Sequence, residues 1–155
     1  MHFGVIGDQG MFGSEMVILL RAQGQKVVGF NRESIDLEDS VDALAKQLDS
    51  LDVIINAVGY TAVDKAETEP DLANKINGEY AGKLANVSKL IESKFLHIST
   101  DYVFDGTSNS PYQTDSKTNP QGAYGRSKLL GEHLVADSGA TYTIFRTAWL
   151  YGAHG

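Results

Sequence analysis

The apolar run His2 to Ile6 breaks at Gly7-Asp8-Gln9-Gly10-Met11-Phe12-Gly13 and gives way to an amphipathic stretch from Ser14 to Gly24. A strand, a glycine turn and a helix in that order direct the chain to the α/β class, because parallel strands need a helical return between them. Glycines at such a turn allow a sharp bend, bring the backbone close to a pyrophosphate and let helix pack on strand. The helix N-terminus then faces the anion. The spacing Gly-x-x-Gly-x-x-Gly departs from the Gly-x-Gly-x-x-Gly of the usual dinucleotide fingerprint, and a plain turn would carry the same glycines. The strand-helix context at the start of the chain favours the nucleotide.

Lys26 to Phe30 reads as a second buried strand, ending in Asn31-Arg32-Glu33 where the adenosine ribose would lie. A carboxylate there bonds the 2′-hydroxyl of NADH, whereas an arginine accommodates the 2′-phosphate of NADPH. Asn31 and Arg32 lean towards NADPH, Glu33 still reaches the ribose, and a solvated Arg32 is the alternative, so both cofactors stay open. The link to Ile35-Asp36-Leu37 is too short for a crossover helix, so one helix is expected to be missing and Asp36 to meet the adenine. Ser40 to Ser50 has helical spacing at Val41, Leu44, Ala45 and Leu48. Asp52 to Val58 is an apolar strand suited to a parallel sheet. Its small residues Ala57, Val58 and Gly59 let a cofactor lie against the backbone. Thr61 to Thr68 is a polar loop or short helix, and Leu72, Ile76, Tyr80, Leu84, Val87 and Leu90 mark one long covering helix from Pro70. In the strand Phe95 to Ser99, His97 reads as a packed core residue without chemistry.

Thr100 follows that strand, and after a loop of residues 101–121 the chain reads Tyr124-Gly-Arg-Ser-Lys128 within a helix that runs to about Ser138. A pair at i, i+4 shares one helix face. An ammonium beside a phenol favours the phenolate, so Tyr124 is expected to titrate closer to neutral pH than a free tyrosine and to act as a general acid. Alone, such a pair is usually a surface pair. Here the glycine turn, Thr100 and Tyr124 with Lys128 all fall at the carboxyl edge of one sheet, where open α/β folds collect their ligands. A further strand, Thr141 to Thr147, leads into Ala148-Trp149-Leu150-Tyr151.

Composition narrows the function further. With 155 residues and 42% apolar content, the chain has room for one domain with a core. A formal net charge of −7 without a basic cluster argues against nucleic acid and offers no membrane-binding patch. No cysteine is present, so disulfides and thiolate metal sites are excluded. The four histidines lack a metal-ligand spacing. No basic leader precedes the first strand, and Met16 to Leu20 is too short to span a bilayer, which makes the cytoplasm the expected location.

Together, Gly7 to Gly13, Asn56-Ala-Val-Gly-Tyr-Thr-Ala-Val-Asp-Lys-Ala-Glu67, Ser99-Thr-Asp-Tyr-Val-Phe-Asp-Gly106, Tyr124-Gly-Arg-Ser-Lys128 and Phe145-Arg-Thr-Ala-Trp-Leu-Tyr-Gly152 resemble the extended short-chain dehydrogenase/reductases over the whole length. The resemblance implies a Rossmann-type, doubly wound parallel sheet in which residues 1–155 form an NAD(P)-binding domain, truncated before a substrate domain in a protein of roughly twice this length. It implies reduction of the C4 ketone of dTDP-4-dehydro-L-rhamnose by NADPH or NADH, with Thr100, Tyr124 and Lys128 catalytic. Gly10 to Phe12, Asp36, Leu37 and Gly59 to Thr61, Tyr60 among them, would touch the cofactor. Val63, Thr100, Asp101, Tyr102 and Trp149 would face the nucleotide sugar. A homodimer of the full-length enzyme is compatible with the resemblance, as is magnesium. Glu15 matches one acid implicated in magnesium binding, although the helix dipole alone explains an acid there. The chain departs from the pattern with Val58-Gly59 where alanines are common and with Asn31 where an aspartate is. A 4-ketoreductase or epimerase of another nucleotide sugar would carry the same motifs, and so would a non-catalytic regulatory subunit that binds a dinucleotide. A truncated chain is expected to expose apolar surface that later strands would cover.

Overall fold

Five short strands assemble into one parallel sheet. The computed structural model describes residues 1–152. Its strands are β1 (His2–Ile6), β2 (Lys26–Phe30), β3 (Val53–Asn56), β4 (Lys94–Thr100) and β5 (Thr141–Thr147), in the spatial order β2-β1-β3-β4-β5. Ile6 lies opposite both Phe30 and Asn56, and Asn56 opposite His97, so the carboxyl ends share one edge. The chain winds outward from β1 in both directions. The crevice beyond β1 and β3 is therefore the point at which an open α/β sheet takes a ligand.

Both faces of the sheet are covered, which is why β3 is buried along its whole length. Helix α1 (Met11–Ala22) packs Val17 and Leu20 against Val5, Val53 and Ile55. On the opposite face, α2 (Val41–Leu48), α4 (Tyr80–Leu90) and α5 (Ala123–Asp137) bring Leu44, Leu48, Leu84, Val87 and Val135 onto Ile6, Ile54 and Phe95. The doubly wound arrangement expected from the sequence is present. Among the described residues, no helix is long and apolar enough to cross a membrane.

Four expectations need correction. No crossover helix is missing: Ile35-Asp36-Leu37 is loop, and α2, capped by the Ser40 hydroxyl on Ala43 N–H at 3.2 Å, is itself the crossover to β3. Lys83 on α4 pins that loop by donating to the carbonyls of Leu37 (2.6 Å) and Asp39 (3.0 Å). The strand β2 is half exposed rather than buried, because it forms a sheet edge. Helix α1 begins at Met11 rather than Ser14, with Gly10 as its N-cap.

The fourth correction concerns the long helix. It consists of α3 (Pro70–Asn74), a π turn (Lys75–Glu79) and α4, and only Leu84 and Val87 of the apolar series are fully buried in its packed face. Leu72 and Leu90 are 44% and 55% exposed, while Ala73, Asn77, Gly78, Ala81, Gly82 and Ala85 are buried. Small residues do the packing because α5 lies so close. A Cβ on Gly78 would strike Leu130 at 2.6 Å and one on Gly82 would strike Leu134 at 2.7 Å. Leu84→Ala is therefore expected to lower the unfolding free energy by about 3 kcal/mol. Leu90→Ala should cost less than about 0.5 kcal/mol. Urea unfolding of the two variants separates the faces, and equal losses would mean that the Leu90 side is packed as well.

Candidate active site

The glycine turn assigns a different task to each glycine. Gly7 has φ +90°, a left-handed conformation that L side chains rarely adopt, and the N–H groups of Gly7 and Asp8 both donate to the Phe30 carbonyl at 2.7 and 3.2 Å. Gly13 rests on the Gly7 carbonyl, where a Cβ has no room. Gly10 caps α1 without a side-chain hydrogen bond, and its missing Cβ would meet only the Gly7 carbonyl at 3.4 Å. The helix thus presents uncapped N–H groups to an open space, an arrangement suited to an anion.

Two cavities lie along the carboxyl edge and meet at Val58. One, of about 550 Å³, is bounded by Gly7, Asn31, Arg32, Asp36 and Leu37 on one side and Leu72, Lys75 and Tyr80 on the other. At its rim the Glu38 carboxylate takes the Lys75 ammonium at 2.5 Å and the Tyr80 hydroxyl. The second, of about 500 Å³, runs from Gly10, Met11 and Phe12 past Ala57, Gly59 and Thr61 to Val63, Thr100, Asp101, Tyr102, Tyr124, Lys128 and Trp149. Most of the residues singled out from the sequence are brought together here. Gln9 lines neither cavity. The Tyr60 side chain turns away, packing on Ala66, Ala73 and Ala123 and donating its hydroxyl to Glu69 at 2.8 Å. Trp149 sits at the rim, 91% exposed, with φ +51°.

Thr100 closes β4, and α5 carries Tyr124 and Lys128 past that strand end. The start of α5 hangs on Glu67, whose carboxylate accepts from Ala123 N–H at 2.6 Å. The Tyr124 phenol and the Thr100 hydroxyl line the same cavity; that hydroxyl donates to Asp101 Oδ1 and accepts from Tyr102 N–H, each at 3.2 Å, and the Tyr102 ring meets the Tyr124 ring edge-on at 5.6 Å. Lys128 is buried and donates to the Ile98 carbonyl at 2.5 Å.

The electrostatics contradict the expectation that Lys128 lowers the phenol. Burial pushes Tyr124 up; the Thr100 hydroxyl pulls it down, and the Asp101 charge adds to the rise. Burial also draws Lys128 down to about 8, against the Glu132 carboxylate. The ammonium is spent on a backbone carbonyl and is itself weakened. A phenol raised in this way stays protonated at neutral pH, the state that a proton donor requires. His97, fully buried, pairs its Nδ1 with the Asn56 amide at 3.1 Å and is held neutral by burial, which draws it down to about 3. It is the packed core residue expected.

One residue escaped the sequence reading. Asn77, in the middle of the π turn, accepts from Tyr60 N–H at 2.8 Å and donates to the Tyr60 carbonyl at 3.0 Å and the Ser127 hydroxyl at 2.9 Å. It ties the loop after β3 to α5, one residue from Lys128. An Asn-Gly pair inside a helical run was the available signal, and π turns gather at functional sites. Among the described residues no group of three or more His, Asp or Glu side chains converges, so magnesium finds no cluster there, around Glu15 or elsewhere.

Gly13→Ala is expected to lower stability by about 2 kcal/mol, since backbone must move to admit the methyl. Gly10→Ala should leave thermal unfolding unchanged but weaken dinucleotide binding. Unfolding scans with a dinucleotide titration check the pair, and loss of stability in both would mean that Gly10 is structural.

Known proteins share this architecture. The chain is 44% identical to the dTDP-4-dehydrorhamnose reductase of Burkholderia thailandensis, covering 100% of this chain and 52% of the relative. It is 41% identical to the dTDP-4-keto-6-deoxy-D-glucose reductase of Streptomyces niveus, covering 97% of this chain and 53% of that one. The crystal structure of dTDP-4-dehydrorhamnose reductase from Bacillus anthracis in complex with NADP superposes with a TM-score of 0.93 at 33% identity, over 99% of this chain and 55% of that one. The chain thus spans about half the length of the relatives it matches. The family described as RmlD substrate binding domain matches residues 1–155, and the chain belongs to that family.

Proposed function

We propose that this chain is the dinucleotide-binding and catalytic part of an NAD(P)H-dependent reductase that converts dTDP-4-dehydro-L-rhamnose to dTDP-L-rhamnose. The observation that carries the reading is one cavity that gathers Thr100, at the mouth of β4, with Tyr124 and Lys128 and with the uncapped N-terminus of α1. The cradle fits the cofactor: Gly10 leaves backbone N–H groups open for a pyrophosphate, and Asp36 and Leu37 bound the adenosine cavity. When bound, a reduced nicotinamide supplies the hydride.

The chain's own groups do the rest. Tyr124, kept protonated by burial, gives its proton to the C4 oxygen as that oxygen gains charge. Thr100 donates to the same oxygen and fixes its angle, a positioning effect. Lys128 holds the nicotinamide ribose from behind, and Val63, Asp101, Tyr102 and Trp149 supply one wall for the nucleotide sugar. In a protein of the relatives' length, the other wall comes from the remaining half.

Arg32, at the end of β2 and on the wall of the adenosine cavity, supports NADPH over NADH. A second reading, reduction of a different 4-keto sugar nucleotide, is favoured by the similar identity to relatives named for two different sugars. A non-catalytic regulatory role is disfavoured by the intact set of Thr100, Tyr124 and Lys128.

The test uses the full-length protein with NADPH and a panel of nucleotide 4-keto sugars, following the absorbance of the reduced cofactor. Tyr124→Phe should keep cofactor affinity and lose at least ~100-fold in kcat; an unchanged kcat would remove the phenol from the mechanism. Arg32→Ala should raise the Kd for NADPH on the order of tenfold and leave that for NADH unchanged. Equal effects on the two cofactors would make Arg32 a solvated loop residue.

A further inference from the structure

Helix α5 turns two ionisable side chains, one turn apart, onto neighbouring residues of β4. Lys128 donates to the Ile98 carbonyl at 2.5 Å, and the Ser99 hydroxyl donates to Glu132 Oε1 at 2.5 Å. Glu132 is only 5% exposed, so its charge needs partners. Arg146 on β5 supplies them, Nε donating to Oε1 at 2.9 Å and Nη2 to Oε2 at 2.6 Å, a bidentate pair. The same guanidinium donates through Nη1 to the Thr114 carbonyl at 3.1 Å and lies over the Phe104 ring at 5.0 Å. Phe104 stacks on Tyr112 at 4.3 Å, so the long loop beside the cavity is moored to the same carboxylate.

None of these groups takes part in the proton transfer described above, and a buried ion pair is a poor device for stability alone, since apolar side chains of similar volume often replace one without loss. What the arrangement does place is a carboxylate of fixed geometry one helical turn from a buried ammonium. We propose that Glu132 is a positioning residue of the site, supplying from one turn along α5 the countercharge that keeps Lys128 an ammonium, with Ser99 and Arg146 holding that countercharge in place. The proposal rests on the reductase reading, in which Lys128 must carry charge to hold the ribose.

The other groups around Lys128 do not supply that charge. His97 on β4 is neutral, Asn77 on the π turn is uncharged, and Arg146 on β5 is already paired. Tyr124 on the same helix stays protonated, and Asp101, beyond Thr100, acts on Tyr124 and is exposed to solvent. Burial draws Lys128 down to about 8 and Glu132 opposes it. The amine is charged below that pH and neutral above it, so losing Glu132 moves neutralisation towards lower pH.

The test follows the carbon-13 Cε resonance of Lys128, assigned through Lys128→Arg, from neutral to alkaline pH in the full-length protein and its variants. Glu132→Gln should lower the midpoint on the order of one unit. The alkaline loss of NADPH affinity should move with it, and Glu132→Asp, which keeps the charge, should restore both. If Glu132→Gln does not fold because Arg146 is left unpaired, the double variant with Arg146→Gln removes both charges and should still lower the midpoint, by less than the loss of the carboxylate alone. A folded variant with an unchanged midpoint overturns the role of Glu132 alone. Full-length wild-type protein that binds neither NADPH nor NADH overturns the reductase reading and this proposal with it.

Discussion

Everything at the site depends on how closely α5 approaches the sheet and the helix beside it. The phenol and the ammonium ride on this one helix, and both must reach the end of β4. Contact at that range is open only to a helix whose neighbours have no side chains in the way. Gly78 and Gly82, one turn apart, receive Leu130 and Leu134, also one turn apart. From the other side, Gly125 lies on the Tyr102 carbonyl and Gly131 on the Asn77 carbonyl. Interiors pack at near-crystalline density, so one added methyl at any of these positions would be transmitted to Tyr124 and Lys128.

Close approach has an electrostatic consequence. The inner face of α5 carries Ser127, Lys128 and Glu132 where an ordinary helix would carry leucines, and all three are buried. Each polar group there has a partner: Ser127 with Asn77 and the Tyr124 carbonyl, Lys128 with Ile98, and Glu132 with Ser99 and Arg146. Such a network is rigid because every buried donor or acceptor would cost free energy if its partner moved.

The same facts explain what was legible in the sequence. The bounds of β1 and β2 were read correctly because apolar runs are local signals, whereas the exposure of β2 depends on its place at the sheet edge. Gly7 to Gly13, Thr100, Tyr124 and Lys128 were legible because their spacing carries chemistry. Asn77, Gly78 and Gly82 were not, since a reading that counts apolar residues by period passes over a face built from small and polar ones, and therefore chose Leu72 and Leu90. The direction of the Tyr124 shift was missed for another reason. Spacing reports who is near a phenol, whereas its proton affinity here is set mainly by loss of water.

Val58 stands where the two cavities meet. A molecule with one lobe in each would be held at two points through a short linker, so the second lobe, once the first is seated, would rebind as if at roughly millimolar concentration. A mononucleotide has no second lobe and leaves when its single contact opens. A cleft joined at Val58 would therefore favour two-lobed molecules through residence time rather than through any one contact.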